Sequence, residues 1–320
     1  MTIPESTIPT VDISPYLTSP SSPAGQAVIT SVANACRTSG FFQLIGHGIS
    51  PSLQQKVFAG SKKLFALPAS EKEKIKSVVA GRGFEILGDQ TLQSGAKPDL
   101  KEGFFVGPEI PKDKEKYESY KYPNNWPSPS LIAEVDLKHP VLEYRQQLCD
   151  LSLVIMQILA QGLPGGRRDI FDEFCTDPLA VVRLLHYPPQ LDLEDKKQLG
   201  AGAHTDFGAI TLLLQDSTAG LQVRKPSSHS EEDIWINIPP NPHAYVVNVG
   251  DMLDTWTKGV YKSNVHRVIN KSGEDRYSIA FFFDGNLEVV IKPLDGSEDK
   301  GGGMTVREFM DERYAKSYPK

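Results

Sequence analysis

From residue 179 onward, short β-prone runs alternate with turn residues, and this cadence limits the possible folds more than any other feature of the chain. The runs cover residues 180–187, 209–215, 221–224, 234–238, 244–249, 265–269 and 278–283, with a further candidate at 287–293. Short strands at close spacing predict an antiparallel sandwich or jelly roll rather than a parallel sheet.

The earlier part of the chain reads differently. Residues 8–13 and 41–45 suit strands. Residues 24–39 carry Val28, Val32 and Ala35 at helical spacing, with Gly40 as a stop. Ser50-Pro51 opens a helix that turns Leu53, Val57, Leu64 and Phe65 inward, and Ser70 with Glu73 predicts a capping box for a short helix after it. Residues 81–127 form a long glycine-punctuated connection bearing Phe84, Phe104, Phe105 and Trp126. Connections of this kind carry function more often than they merely link. Residues 141–163 make the strongest helix, apolar nearly all round and therefore expected to lie buried against a sheet. Thr305 and Glu308 predict a second capping box, opening a last helix. The expected organisation is a helical and loop-rich region over 1–125, a β core over 126–300 with the 141–163 helix packed on it, and a C-terminal helix over 301–320.

Bulk properties exclude several functions. A net charge of −6 without a basic block argues against a nucleic-acid surface and an anionic membrane surface. No apolar run is long enough to span a bilayer, and the N-terminus lacks the basic start and apolar middle of a signal peptide. Cys36, Cys149 and Cys175 are odd in number and have no paired spacing, which suits a reducing compartment. The expectation is a cytoplasmic, monomeric protein with a small-molecule substrate and neither nucleic acid nor membrane as partner.

His204 and Asp206 are two residues apart, so on an extended segment both side chains face one side. His266 lies far enough downstream to return on another strand. Two imidazoles and one carboxylate on one side of a metal leave the opposite positions open, the facial arrangement of non-haem Fe(II) oxygenases. Arg276 and Ser278 repeat the two-residue spacing. Arginine grips a carboxylate with two parallel hydrogen bonds, and a nearby hydroxyl adds another. The joint pattern is far more specific than any of its parts.

With these residues in view, the chain resembles an Fe(II)/2-oxoglutarate-dependent dioxygenase of the isopenicillin N synthase-like superfamily over nearly its whole length. Ile8-Pro-Thr-Val-Asp-Ile13 and Gly40-Phe-Phe-Gln-Leu-Ile-Gly-His-Gly-Ile49 resemble the N-terminal signature, and Tyr122-Pro-Asn-Asn-Trp126-Pro the central segment. Leu184-Leu-His-Tyr187-Pro-Pro, His204-Thr-Asp206-Phe-Gly, Val249-Gly-Asp251-Met-Leu and Ser263-Asn-Val-His266-Arg-Val follow in the family's order. The resemblance implies a mainly β fold with flanking helices around a double-stranded β-helix, a distorted jelly roll. It implies His204, Asp206 and His266 as ligands of Fe(II). Arg276, Ser278 and Tyr187 would hold 2-oxoglutarate, with O2 as the other cosubstrate. Leu185 stands where the family has asparagine, and Gly46 departs from the Asn-His-Gly-Ile pattern. The implied reaction oxidises, most simply hydroxylates, an unactivated C–H bond of a small organic molecule as 2-oxoglutarate is converted to succinate and CO2.

For the substrate pocket, the N-terminal loops supply Arg82, Phe84, Phe104 and Phe105. Arg183 shares a strand face with Tyr187, and Phe283 is a further candidate, whereas Phe281 reads as core. Arg82 and Arg183 near the iron would favour a substrate with a carboxylate or polar carbonyls. Three alternatives share the same residues: an Fe(II) oxidase or oxidative cyclase of this fold that does not use 2-oxoglutarate, a zinc hydrolase, and a non-catalytic binding module. The hydrolase lacks a glutamate base at motif spacing, and the binding module is disfavoured by the complete ligand set.

Overall fold

The computed structural model describes residues 8–76, 81–112, 117, 120–192, 194–225, 234–294 and 303–317. Its strands are β1 (Thr10–Asp12), β2 (Phe41–Ile45), β3 (Gly83–Glu85), β4 (Glu102–Val106), β5 (Leu179–Tyr187), β6 (Ala201–His204), β7 (Ile210–Gln215), β8 (Leu221–Arg224), β9 (Trp235–Asn237), β10 (Tyr245–Val249), β11 (His266–Val268), β12 (Arg276–Gly285), β13 (Val290–Ile291) and β14 (Met304–Thr305). The helices are α1 (Ser14–Thr18), α2 (Pro23–Thr38), α3 (Pro51–Phe65), α4 (Ala69–Glu73), α5 (Lys138–Gly162), α6 (Asp251–Trp256) and α7 (Val306–Ser317).

Eight strands form one sheet in the order β1-β2-β10-β7-β12-β5-β4-β3, and β6-β11-β8-β9 form a second. Apart from the parallel β1–β2 pair, neighbours in both sheets are antiparallel. Strand alternation divides the large sheet's residues between two cores. Ile279, Phe281 and Phe283 of β12, with Tyr245, Val247 and Val249 of β10, belong to the core beneath the helices. Ala280 and Val246, on the opposite face, pack with Leu221, Val223 and Val268 of the small sheet. The second face is where the cavities lie.

The helical face is sealed by α5, which contacts α2, α3, β5 and β12. Val141, Tyr144, Leu148, Ile155 and Leu159 are at most 1 % exposed, each contributing about 1.5–3 kcal/mol by burial for a Val, Leu or Ile side chain. The helix starts three residues before the expected 141, because Pro140 falls in its first turn, where a missing N–H breaks no bond.

Two local expectations are corrected. Ser70 does not cap α4; it lies inside the helix, whose N-cap is Pro68. Part of the 81–127 connection is sheet: β4 pairs with β5, placing Phe104 opposite Leu184 and Phe105 opposite Arg183, with β3 beyond it. Every residue of β4 is buried, so tertiary packing decides what a glycine-rich sequence left open. The C-terminal capping box does form: Thr305 N–H donates to Glu308 Oε2 at 2.8 Å and Glu308 N–H to Thr305 Oγ1 at 3.1 Å. Among the described residues no helix is long and apolar enough to cross a membrane.

One ionic clasp joins β4 and β5 to the start of β12. His186 Nδ1 lies 2.8 Å from Glu102 Oε1, and its Nε2 lies 2.9 Å from Asp275 Oδ1, while its ring stacks on Tyr277 at 4.8 Å. Burial opposes the imidazolium, but the two carboxylates outweigh it and raise the pKa of His186. A raised folded-state value stabilises the fold at pH below about 6.5, and that stabilisation fades as pH rises through the folded value. The His186→Gln variant is therefore expected to lose more melting temperature at pH 6 than at pH 9. An equal loss at both pH values contradicts this role.

Candidate active site

His204 ends β6 and His266 begins β11, and the two are register partners in the small sheet with ring centroids 4.2 Å apart. Asp206 lies just past the end of β6, so the shared direction comes from strand plus turn rather than from one extended segment. The potential ligand atoms of the three all lie within 4.8 Å of one another. Nε2 of His204 and of His266 stand 3.8 and 3.7 Å from Asp206 Oδ1.

The surroundings fix what each group can offer. His204 Nδ1 lies 2.7 Å from the Gly202 carbonyl; a carbonyl can only accept, so the proton sits on Nδ1 and the Nε2 lone pair faces the cluster. His266 Nδ1 faces the Asn264 carbonyl at 3.4 Å. Thr211 Oγ1 and Asn248 Nδ2 donate to Asp206 Oδ2 at 2.6 and 2.8 Å, leaving Oδ1 for the cluster. Burial alone would raise the Asp206 carboxyl, but His266, His204 and these two donors hold it below the usual range. Burial and the adjacent His266 push His204 down, favouring the neutral ring that a metal needs. Neutral imidazoles and a carboxylate suit a divalent ion with open positions.

On one side of the cluster, a cavity is bounded by Tyr187, Leu185, Leu213, Val268, Arg276 and Ser278. Arg276 is 0 % exposed. Its Nη2 donates to Gln215 Oε1 at 3.0 Å, its Nη1 reaches Ser278 Oγ at 3.5 Å, and its guanidinium lies 4.9 Å from the Tyr187 ring centre. Nε has no partner at all, and among the described residues no carboxylate pairs with this cation. The donor set therefore fits a carboxylate, and Leu185, Leu213 and Val268 fit the methylenes behind it. Leu185 supplies wall where the family has an amide.

On the other side, a second cavity shares His204 and Asp206 and is walled by Leu92, Phe105, Phe207, Phe282, Met310 and Tyr314, with Gln90, Arg183, Thr205 and Asp284 as its other polar groups. Of the sequence candidates, Arg183 and Phe105 line it. Arg82, Phe84, Phe104 and Phe283 do not. Arg82 is buried, donating to the carbonyls of Gly81, Tyr120 and Tyr122. Phe84, Phe104 and Phe283 sit in the helical core. Phe283 has the wrong parity: Phe282 follows Arg276, Ser278 and Ala280 on the cavity face, while Phe283 packs on Phe174 at 6.0 Å.

Sequence reasoning missed Asp284, although it is the next residue on that face. Burial and the nearby Asp206 push its carboxyl up to about 7. Gly208 permits this approach, since a Cβ there would stand 1.9 Å from Asp284 Oδ1. Also missed were Met310 and Tyr314 of α7. Tyr314 packs edge-on to Phe207 at 6.0 Å, and Arg313 bonds Asp251 Oδ2 at 3.0 Å, the oxygen that also accepts Thr205 Oγ1 at 2.9 Å. The last helix is thereby joined to the residue between His204 and Asp206.

Comparison with known proteins agrees with this geometry. Residues 8–129 match the family described as non-haem dioxygenase in morphine synthesis N-terminal, and residues 178–285 the 2OG-Fe(II) oxygenase superfamily. The 2-oxoglutarate-dependent dioxygenase citB of Monascus ruber is 47% identical over 97% of this chain and 95% of its own length. The clavatol oxidase claD of Penicillium crustosum is 41% identical over 97% and 96%. The crystal structure of full-length Neurospora crassa T7H with alpha-KG and thymine superposes with a TM-score of 0.82 at 27% identity, covering 99% of each chain. The chain belongs to the Fe(II)- and 2-oxoglutarate-dependent dioxygenases, built on a jelly-roll core and using O2 to oxidise a small molecule.

Proposed function

We propose that His204, Asp206 and His266 hold the Fe(II), that Arg276, Ser278 and Tyr187 hold the distal carboxylate of 2-oxoglutarate, and that the enzyme hydroxylates an unactivated C–H bond of a small, flat, ring-bearing molecule. The observation that carries this reading is Arg276, a sealed cation that is hydrogen-bonded only to neutral groups, with the Asp216 carboxylate acting on it from beyond bonding reach, and whose Nε has no partner. Burying an unpaired charge is costly, so the site calls for an anion, and the adjacent ligand cluster calls for one that can also reach a metal. The bound iron and cosubstrate supply the oxidising chemistry, with succinate and CO2 as coproducts.

The chain's own residues bind, orient and exclude water. Thr211 and Asn248 aim the Asp206 carboxylate. Phe105, Phe207, Phe282 and Tyr314 offer ring faces and edges to a flat substrate. The ring-shaped thymine bound by the Neurospora crassa protein supports the same size class. A cytoplasmic setting and the absence of nucleic-acid or membrane partners belong to this proposal too, supported by the charge and cysteine pattern of the sequence. So do a monomeric state and the division at about residues 125 and 300, the latter supported by the family matches over 8–129 and 178–285.

Two outcomes follow. Truncating one member of a buried charge pair removes about 2–5 kcal/mol, so Arg276→Ala is expected to raise the KM for 2-oxoglutarate by at least about 30-fold, measured as succinate release. An unchanged KM in a folded variant removes Arg276 from the cosubstrate site. Removing a donor that aims a metal ligand weakens metal binding by about 10- to 100-fold, so Asn248→Ala is expected to do so in an anaerobic Fe(II) titration. Wild-type affinity there counts against Asp206 as a ligand.

A further inference from the structure

We propose that the second cavity selects an uncharged molecule offering a hydroxyl or N–H group, and that Asp284 receives that group. This rests on the assignment of that cavity to the substrate. Asp284 is 4 % exposed and lines the cavity with Phe282 and Tyr314. Among the described residues its carboxyl has neither a hydrogen-bond nor an ion-pair partner. Its Oδ1 packs so closely on Gly208 that the group is held beside the His204–Asp206 turn. A buried carboxyl with no partner among the described residues can accept from a donor outside the protein.

The cations nearby are each engaged elsewhere. Arg183 shares the cavity, but its Nε donates to Glu85 Oε2 at 3.0 Å, its Nη2 reaches Glu85 and Gln90, and its guanidinium lies 4.6 Å from the Phe105 ring centre. Lys101 is bonded to Asp99. Arg313 is bonded to Asp251, and Arg82 is turned to main-chain carbonyls outside the cavity. A divalent ion, the Asp206 carboxylate, dianionic 2-oxoglutarate and the Arg276 cation that grips it sum to zero, so the loaded centre offers an anion no net positive charge. A substrate carboxylate would thus enter against Asp284, with no net cation at the loaded metal centre and Arg183 already satisfied. The arginines that suggested an anionic substrate from the sequence point the other way once their partners are seen. A hydroxyl or amide N–H meets an acceptor instead.

The test uses protein loaded anaerobically with Fe(II) and 2-oxoglutarate at about pH 8, where the Asp284 carboxyl, pushed up to about 7, is ionised. It is titrated by calorimetry with two matched pairs: 4-hydroxybenzamide against 4-hydroxybenzoate, and uracil against orotate. In wild type the neutral member of at least one pair is expected to bind at least about ten-fold tighter, the scale on which an uncompensated buried charge is rejected. In Asp284→Asn, which keeps the shape and removes the charge, that gap is expected to close to within about three-fold, through stronger binding of the carboxylate. Equal or tighter binding of both carboxylates by wild type overturns the proposal. So does a gap that survives Asp284→Asn, or failure of both neutral probes to bind. The charge-transfer absorption of Fe(II)–2-oxoglutarate, recorded on every sample, separates the two readings. A sample lacking it fails the cosubstrate assignment, whereas one showing it and still preferring carboxylates fails the Asp284 assignment alone.

Discussion

A full positive charge sealed inside the sheet, with no carboxylate bonded to it among the described residues, is the constraint on which the active half of this protein depends. Arg276 is held by Gln215, Ser278 and the face of Tyr187, and none of these cancels its charge. A protein tolerates such a residue when a ligand completes it. The cavity it faces is also lined by His204, Asp206 and His266, so the groups suited to an anion and those suited to a metal meet at one place.

The arrangement is possible because β12 lies between β5 and β7, inside the large sheet. One set of alternate side chains, Ile279, Phe281 and Phe283, anchors the strand in the core under α5. The other set begins with Arg276 and Ser278 and passes through Ala280 and Phe282 to Asp284. A cation stands at one end of this row and an unpartnered carboxyl at the other, with the metal cluster facing the middle. In the proposed reading, cosubstrate and substrate reach the metal from opposite ends of this single strand. The second sheet closes the arrangement, because pairing β6 with β11 sets His204 directly across from His266.

Much of this was legible in the sequence, and the physical reason is periodicity. The two-residue spacing of Arg276 with Ser278 reports a shared strand face, whereas that of His204 with Asp206 pointed to the right pair although a turn, not one extended segment, brings them together. The long apolar helix and the Thr305–Glu308 capping box are equally local signals. What was not legible depends on partners remote in sequence. Nothing in Gly81-Arg82-Gly83-Phe84 tells that Arg82 turns toward three carbonyls, or that Arg183 meets Glu85 across the neighbouring strands. Phe104 and Phe105 exchange roles with a one-residue change of register, and only the β4–β5 pairing decides between them. Asp284 was within reach of the alternation that begins at Arg276 and Ser278, had it been carried to the end of the strand. Tyr314 was not, since the docking of α7 depends on contacts with Phe207 and Asp251.

The central claim is that the triad and Arg276 together bind a metal and the 2-oxoglutarate that chelates it. The most direct measurement is an anaerobic visible difference spectrum as 2-oxoglutarate is titrated into the Fe(II)-loaded protein. The expected result is a metal-to-ligand charge-transfer band that saturates at one cosubstrate per iron. No band, in a sample shown by metal analysis to carry iron at the protein's own concentration, would contradict the account.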